Sequence, residues 1–294
     1  MKKLIFEIIK QGDGKRVKIM KYYLLDWDDN ILYMPTKIYF LNQNGEEVGM
    51  STHDFSHYRN LLDSQTGKSK EPFKYNDEIL VGLSDTPFRD FRSDLSLFIQ
   101  DVNAAEIGPA WNDLVEAINT GSYFSIITAR GHNPTVLRDA VKIMIDKNFN
   151  GISKRDLINS LKIRKEKSDE KYTNDDDEIE KYLDMCVFYP VSYYHPSGAS
   201  KPEEIKKSVI LKFMKNIREM VDDLNLRMKD KGDSDYVLKP VFGFSDDDLK
   251  NLEYAKEIEG INIYSTHGGK KVKIKSSNEN IQEDIKRIKL LFNY

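Results

Sequence analysis

The sequence predicts an α/β fold built on a doubly wound parallel sheet, and three observations predict it. Five short runs, Tyr22–Leu25, Tyr123–Ile127, Cys186–Tyr189, Val241–Phe244 and Ile261–Tyr264, read as strands, and the first is continuously apolar before it ends in acids. Strands covered by helices on both faces read this way. Helix-like segments separate the runs, and strand–helix alternation implies parallel crossovers. Three of the runs end in polar residues: Asp26 and Asp28, Thr128, and Asp246 with Asp247.

In chain order, residues 1–22 read as a hairpin turning at Gln11-Gly12-Asp13-Gly14. After the first core run, Lys37–Leu41 and Glu46–Met50 form a second hairpin around Asn42-Gln43-Asn44-Gly45. Ser51-Thr52-His53-Asp54 reads as a helix start, and residues to about 105 as helical and aromatic-rich. A helix near 110–119 precedes the second run. Asn133-Pro134 then opens a helix to about Lys147, with proline at a permitted first-turn position. The charged stretch 150–184 reads as surface helices joined by a link. Lys201-Pro202 opens a long helix with Ile205, Val209, Leu211, Phe213 and Ile217 roughly on one side. Residues 248–258 and 280–292 complete the helices. The expected organisation is a core of 1–32 and 110–294, with 33–109 forming a flap hairpin and helical cap.

A chain of 294 residues suits one main domain with sizeable insertions, or one domain plus a small second one. With 39% hydrophobic and 32% charged residues, a soluble globular protein with a charged surface is expected. The formal net charge of -3 gives no support to a protein that coats nucleic acid. The single cysteine, Cys186, excludes an internal disulfide and reads as a buried thiol in a cytoplasmic protein, host cytoplasm if phage-encoded. Glu7 interrupts the first apolar run and no small-residue cleavage site follows it, so a strand is expected there rather than a signal peptide. No run approaches the roughly 20 apolar residues of a membrane span.

In an open α/β sheet, ligands bind outside the carboxyl ends of the strands. Asp26, Asp28, Thr128, Asp246 and Asp247 can therefore converge across more than two hundred positions of sequence. Carboxylates gathered this closely raise one another's pKa unless a cation neutralises them. An all-oxygen acidic site favours a hard cation, with Mg2+ the default, and metal-assisted chemistry on an anion follows.

Those same residues resemble a known family. Tyr23–Leu32, an apolar strand followed by Asp-Trp-Asp, resembles the first motif of the haloacid dehalogenase (HAD)-like hydrolases. Ile126-Ile127-Thr128-Ala129-Arg130 resembles the second motif, and Val241–Asp247 the fourth. Lys207 suits the motif lysine, as does its neighbour Lys206, with Lys201 a weaker third. Together these motifs span residues 23 to about 258.

The resemblance implies a HAD-like Rossmannoid core and a role for each residue. Asp26 is the expected nucleophile, Asp28 the general acid and base, and Thr128 a donor to a phosphoryl oxygen. Lys207 offsets charge on nucleophile and phosphate. Asp26, Asp28 through its carbonyl, Asp246 and Asp247 hold Mg2+. The acid at position 28 favours a phosphatase over carbon–halogen cleavage. An inactive HAD-fold binding or assembly protein and a phosphotransferase are the alternatives. Asn30 stands where threonine is commoner, Asp248 leaves open which two acids bind metal, and Asn251 is placed to orient them.

The stretch from Thr128 to His132 and the Ser-Asp-Asp-Asp ending also resemble the phosphatase half of phage-type polynucleotide kinases. The wider pattern, including Ser51–Phe55, is similar to HAD-like proteins of phages and bacteria. The expected substrate is thus a phosphorylated small molecule or nucleic-acid end, with no membrane association and no protein partner inferred. Arg130 is the best additional phosphate contact, with a structural salt bridge as the equal alternative, and His132 reads as a helix-start or surface residue, with a substrate contact as the alternative. Gly67-Lys68-Ser69 lacks the earlier glycine of a phosphate-binding loop, Leu62 standing in its place. His53, His57, His195 and His267 lack zinc-ligand spacing. Lys270–Lys275 reads as a lysine-guarded edge strand.

Overall fold

The computed structural model describes residues 8–10, 16–58, 61–63, 66–87, 94–168, 171–195, 201–230 and 236–277. Strand β1 (Ile8–Lys10) pairs antiparallel with the start of β2 (Arg16–Leu25). The N-terminal hairpin is therefore present, while its expected turn lies outside the described residues. Its second arm and the first core run prove to be one strand of 10 residues.

An insertion follows β2. It contains β3 (Leu32–Tyr33), β4 (Lys37–Asn42), β5 (Glu47–Ser51), α1 (Thr52–Tyr58), β6 (Lys68–Tyr75), β7 (Glu78–Leu83), α2 (Leu95–Ala104) and β8 (Glu106–Ile107). The chain then returns to the core with α3 (Trp111–Asn119), β9 (Phe124–Thr128), α4 (Pro134–Asp146), α5 (Lys154–Ser168) and α6 (Asp175–Met185). Next come β10 (Val187–Pro190), α7 (Val191–Tyr194), α8 (Pro202–Asp230), β11 (Tyr236–Asp246), α9 (Leu249–Lys256), β12 (Ile261–Ser265) and β13 (Val272–Lys275). The helix expected over 280–292 lies outside the described residues.

The main sheet has the order β10-β9-β2-β11-β12-β13. The first five of these strands are parallel, and β13 closes one edge antiparallel, as its lysine-rich sequence predicts. Counted along the chain, the parallel strands stand third, second, first, fourth and fifth, a Rossmann-like order that reverses direction at β2.

Alternate residues of β2 serve two cores. Tyr23 and Leu25 pack with residues of α3, α4 and α6, while Tyr22 and Leu24 pack with α8 and α9. Helices therefore lie on both faces of the sheet, which is why the strands carry apolar side chains in both directions. Cys186 is buried beside this core, and burial pushes its thiol up to about 12. Among the described residues, no helix is long and apolar enough to cross a membrane.

The flap hairpin expected within 33–109 is present as β4–β5, but the rest of the insertion differs from the helical cap expected there. The larger part of the insertion is a four-stranded antiparallel sheet, β5-β4-β7-β6, built from two hairpins. Residues 68–83 form strands because Phe73, Tyr75 and Leu80 recur on one face around the turn at Asn76 (φ 52°). These residues pack with Ile38, Phe40, Met50 and Leu62 in a small core of their own. Among the described residues of the insertion the α-helices are α1 and α2, and Lys68 and Ser69 lie in β6 rather than at a helix entrance.

The insertion leaves and rejoins the core through one neck, where β3 pairs antiparallel with β8. Gly108 closes this neck. A Cβ there would lie 2.5 Å from the Asn30 carbonyl oxygen, so only glycine fits without displacing backbone.

Candidate active site

The order reversal at β2 places a crevice outside the carboxyl ends of β9, β2 and β11. Pairing of Leu25 with both Ile126 and Ser245 brings the carboxyl ends of the three strands to one edge of the sheet. Asp26 follows β2, Thr128 ends β9 and Asp246 ends β11; they are 5%, 1% and 0% exposed. Backbone bonds hold the ends together, since the Asp26 amide donates to the Ser245 carbonyl at 3.1 Å.

A tight loop follows Asp26. The amides of Ile31 and Leu32 donate to the Trp27 carbonyl, and Asp29 adopts a left-handed backbone (φ 52°). Trp27 is fully buried against Phe98 of α2, with ring centroids 5.3 Å apart. Asn30 is buried too: its side-chain amide donates to the Asp26 carbonyl at 3.0 Å and its oxygen accepts from the Thr266 hydroxyl at 3.0 Å. The Thr266 amide donates in turn to the Asp246 carbonyl. Asn30 is therefore a cross-brace between the two acidic strand ends, beyond the interchangeable small residue of the sequence pattern.

The lysine of the site is Lys206, not Lys207. Lys206 Nζ donates to Asp26 Oδ1 at 2.9 Å and to Asp246 Oδ2 at 2.8 Å, and the residue is 2% exposed. Lys207 points away and pairs with Glu257 on α9. Helix phase explains the correction: α8 buries Ile205, Val209, Ile210, Phe213, Met214, Ile217 and Val221. Lys206 falls on that stripe one turn before Ile210, whereas Lys207 is rotated about 100° off it. The same phase leaves Leu211 exposed instead of on the buried side.

The acidic run after β11 divides its labour. Asp246 Oδ1 accepts from the Asp248 amide and the Asn251 side-chain amide, both at 3.0 Å, so Asn251 orients it. Asp248 caps α9 by accepting from the Lys250 amide, which removes it from the set of candidate ligands. Carboxylate oxygens of Asp26, Asp246 and Asp247 lie within 4.8 Å of one another, a group that could hold a metal ion.

The electrostatics of this group are unbalanced. Burial raises the Asp26 carboxyl above the ordinary range; Lys206 opposes the rise, and Asp246 and Asp28 add to it. Asp247 is raised likewise, by burial and then by Asp246 and Asp26. Burial alone would lower the Lys206 ammonium, but Asp246 and Asp26 hold it above the ordinary lysine value. A firmly charged lysine beside reluctant acids reflects burial together with an imbalance of charge: a single ammonium faces three carboxylates. Three negative charges against one positive leave a formal −2.

Asp28 stands apart from that cluster. Arg130 grips it with two bonds, Nε to Oδ2 at 2.7 Å and Nη2 to Oδ1 at 2.5 Å. Nη2 also donates to Thr36 Oγ1 of the insertion at 3.2 Å. The Arg130 amide donates to Thr128 Oγ1 at 3.3 Å, so Thr128 and Arg130 share one short loop. His132, expected at the surface or at a helix start, is instead 3% exposed and packs on Phe98 at 4.8 Å. The helix start belongs to Asn133, whose side chain accepts from the Thr135 amide.

Comparisons of the chain with protein-family models, with curated proteins and with solved structures found no match.

Proposed function

We propose that this protein is a magnesium-dependent phosphatase of the HAD type, hydrolysing a phosphomonoester through an aspartyl-phosphate on Asp26. The observation that carries the reading is Lys206 lodged between Asp26 and Asp246 at the ends of adjacent parallel strands. A nucleophilic carboxylate held by a buried ammonium, with two more acids alongside, suits an anionic substrate only if a cation offsets the surplus charge. A divalent ion balances the formal −2 of Asp26, Asp246, Asp247 and Lys206. An all-carboxylate donor set suits Mg2+, which when bound would neutralise phosphoryl oxygens and orient them.

The chain's own residues supply the remaining chemistry. An Asp26 carboxylate oxygen attacks phosphorus as the ester oxygen leaves, and Lys206 steadies the charge shared between them. Thr128 Oγ1, at the end of β9, donates to a phosphoryl oxygen. Asp28 gives a proton to the departing oxygen, then takes one from the water that cleaves the aspartyl-phosphate. While Arg130 holds both its oxygens, Asp28 cannot hand over a proton, so this chemistry requires one of the two bonds to open.

An aryl-phosphate assay with and without magnesium, on wild type and Asp26→Asn, tests the proposal. Magnesium-dependent release of phosphate by wild type and none by Asp26→Asn is expected. Absence of magnesium-dependent release across a broad panel of phosphate esters would overturn it.

A further inference from the structure

The carboxyl edge of the sheet carries a second feature that this chemistry does not use. Short helix α7 follows β10 directly, and Tyr193 and Tyr194 on it are 43% and 48% exposed. Tyr194 stacks on Tyr189 with centroids 4.6 Å apart and planes 28° from parallel. Tyr193 meets Tyr194 edge-on at 5.3 Å and 90°. Tyr189 is held from behind, its hydroxyl lying 3.1 Å from His195 Nε2. Val191, the first residue of α7, is buried and anchors the turn. Three rings thus form a supported shelf with two rings open to solvent.

The shelf is tied to the candidate site. Pro190, the last residue of β10, is the register partner of Thr128. Ser192 donates its hydroxyl to the Ala129 carbonyl at 2.6 Å, and Ala129 lies between Thr128 and Arg130. Neighbouring strands are about 5 Å apart, so the backbone of Pro190, which leads directly into α7, stands one strand spacing from Thr128 and two, or about 10 Å, from the strand that ends at Asp26. That is the separation of neighbouring groups within one small ligand.

We propose that Tyr193 and Tyr194 form a stacking platform for the base of a nucleotide whose phosphomonoester lies at Asp26. The assignment rests on the phosphatase reading for the place of the phosphate. An exposed aromatic face accepts any base by stacking, without hydrogen-bond readout. A long nucleic acid would need a basic track to neutralise its backbone, and a chain of net charge -3 argues for contact with a single terminal or free nucleotide. A protein partner needs about 800 Å² from this side, far more than two tyrosine rings provide.

Titration calorimetry on Asp26→Asn in magnesium tests the platform, with ribose 5-phosphate, adenosine 5′-monophosphate, adenosine 3′-monophosphate and a 3′-phosphorylated tetranucleotide as probes. The nucleotides should bind about tenfold or more tightly than ribose 5-phosphate. In the same background Tyr193→Ala with Tyr194→Ala should reduce that preference to about threefold or less, and the paired phenylalanine variant should keep it. Tighter binding of the tetranucleotide than of the mononucleotides assigns the platform to a strand end, and equal binding assigns it to free nucleotides. Equal affinity for ribose phosphate and nucleotides, or a preference that survives the alanine variant, overturns the proposal. Tyrosine fluorescence with unphosphorylated adenosine separates the two readings. Quenching that the alanine variant abolishes, with no phosphate ester bound or hydrolysed, keeps the platform and removes the phosphatase. No quenching and no nucleotide preference, with other phosphate esters still hydrolysed, removes the platform and leaves the phosphatase.

Discussion

Arg130 and Asp28 form a bidentate, largely buried ion pair that joins the core to the insertion. The guanidinium that holds both Asp28 oxygens also reaches Thr36, whose hydroxyl donates to Asp101 of α2 at 2.5 Å, and lies 5.5 Å from the Phe98 ring centre. The position of the insertion and the orientation of the expected proton donor are thereby set by one side chain.

Removing one member of such a pair strands the other in a place water scarcely reaches. Arg130→Met should therefore destabilise the fold by about 3 kcal/mol, whereas adding Asp28→Asn to that background should cost far less than the same change in wild type. Urea unfolding of the two single variants and the double variant measures the coupling. Additive effects across the cycle would mean that the pair does not act as a unit.

Lys206 and Lys207 are adjacent in sequence and opposite in consequence. Lys206→Ala should lower phosphatase activity by about 10²-fold or more, because it removes the only ammonium in contact with Asp26 and Asp246 among the described residues. Lys207→Ala breaks one partly exposed pair with Glu257 and should change stability by less than about 1 kcal/mol. Steady-state rates for both variants decide the assignment, and a larger loss at Lys207 would reverse it.

What the sequence made legible follows from burial. The five core strands are covered on both faces, so their apolar runs are continuous and visible, and the acids that end two of them stand out by contrast. The β6–β7 hairpin packs through Phe73, Tyr75 and Leu80, and the exposed Lys68, Lys70, Glu71 and Lys74 along β6 hide its alternation under charge. Lys206 was within reach of helix phase, since it lies three residues before Val209 and four before Ile210. The Arg130–Thr36–Asp101 chain was not, because its members stand 94 and 65 positions apart and pair only once the neck of the insertion has formed.

Magnesium should stabilise the protein more at pH 8 than at pH 5. Asp26 and Asp247 have folded-state pKa values raised above the unfolded ones. Without metal, then, the unfolded state releases its protons first, and stability falls as pH rises from about 4 through the raised folded values. Mg2+ held as proposed would bind the ionised carboxylates and compete with those protons, so its stabilisation should grow over the same window. Thermal melts with and without Mg2+ at the two pH values test the sign. An equal shift at both would exclude these carboxylates as ligands, and Asp247→Asn should flatten both the metal response and the metal-free pH dependence.

Gly108 connects the neck of the insertion to Asp26. A methyl group at this position meets backbone, the Asn30 carbonyl oxygen at 2.5 Å and its carbon at 2.9 Å, which no side-chain rotation can relieve. The same carbonyl accepts from the Ala110 amide, and the Asn30 side chain braces the Asp26 carbonyl and Thr266. Gly108→Ala should thus cost about 2 kcal/mol through overpacking. It should also lower turnover, because the displaced Asn30 shifts the strand end that carries Asp26. Thr266→Val removes only the far end of the brace and should cost about 1 kcal/mol, with a smaller effect on turnover. Measuring unfolding midpoints and turnover for both variants separates the two effects. A Gly108→Ala protein with wild-type stability and rate would show that the neck and Asp26 are not mechanically linked.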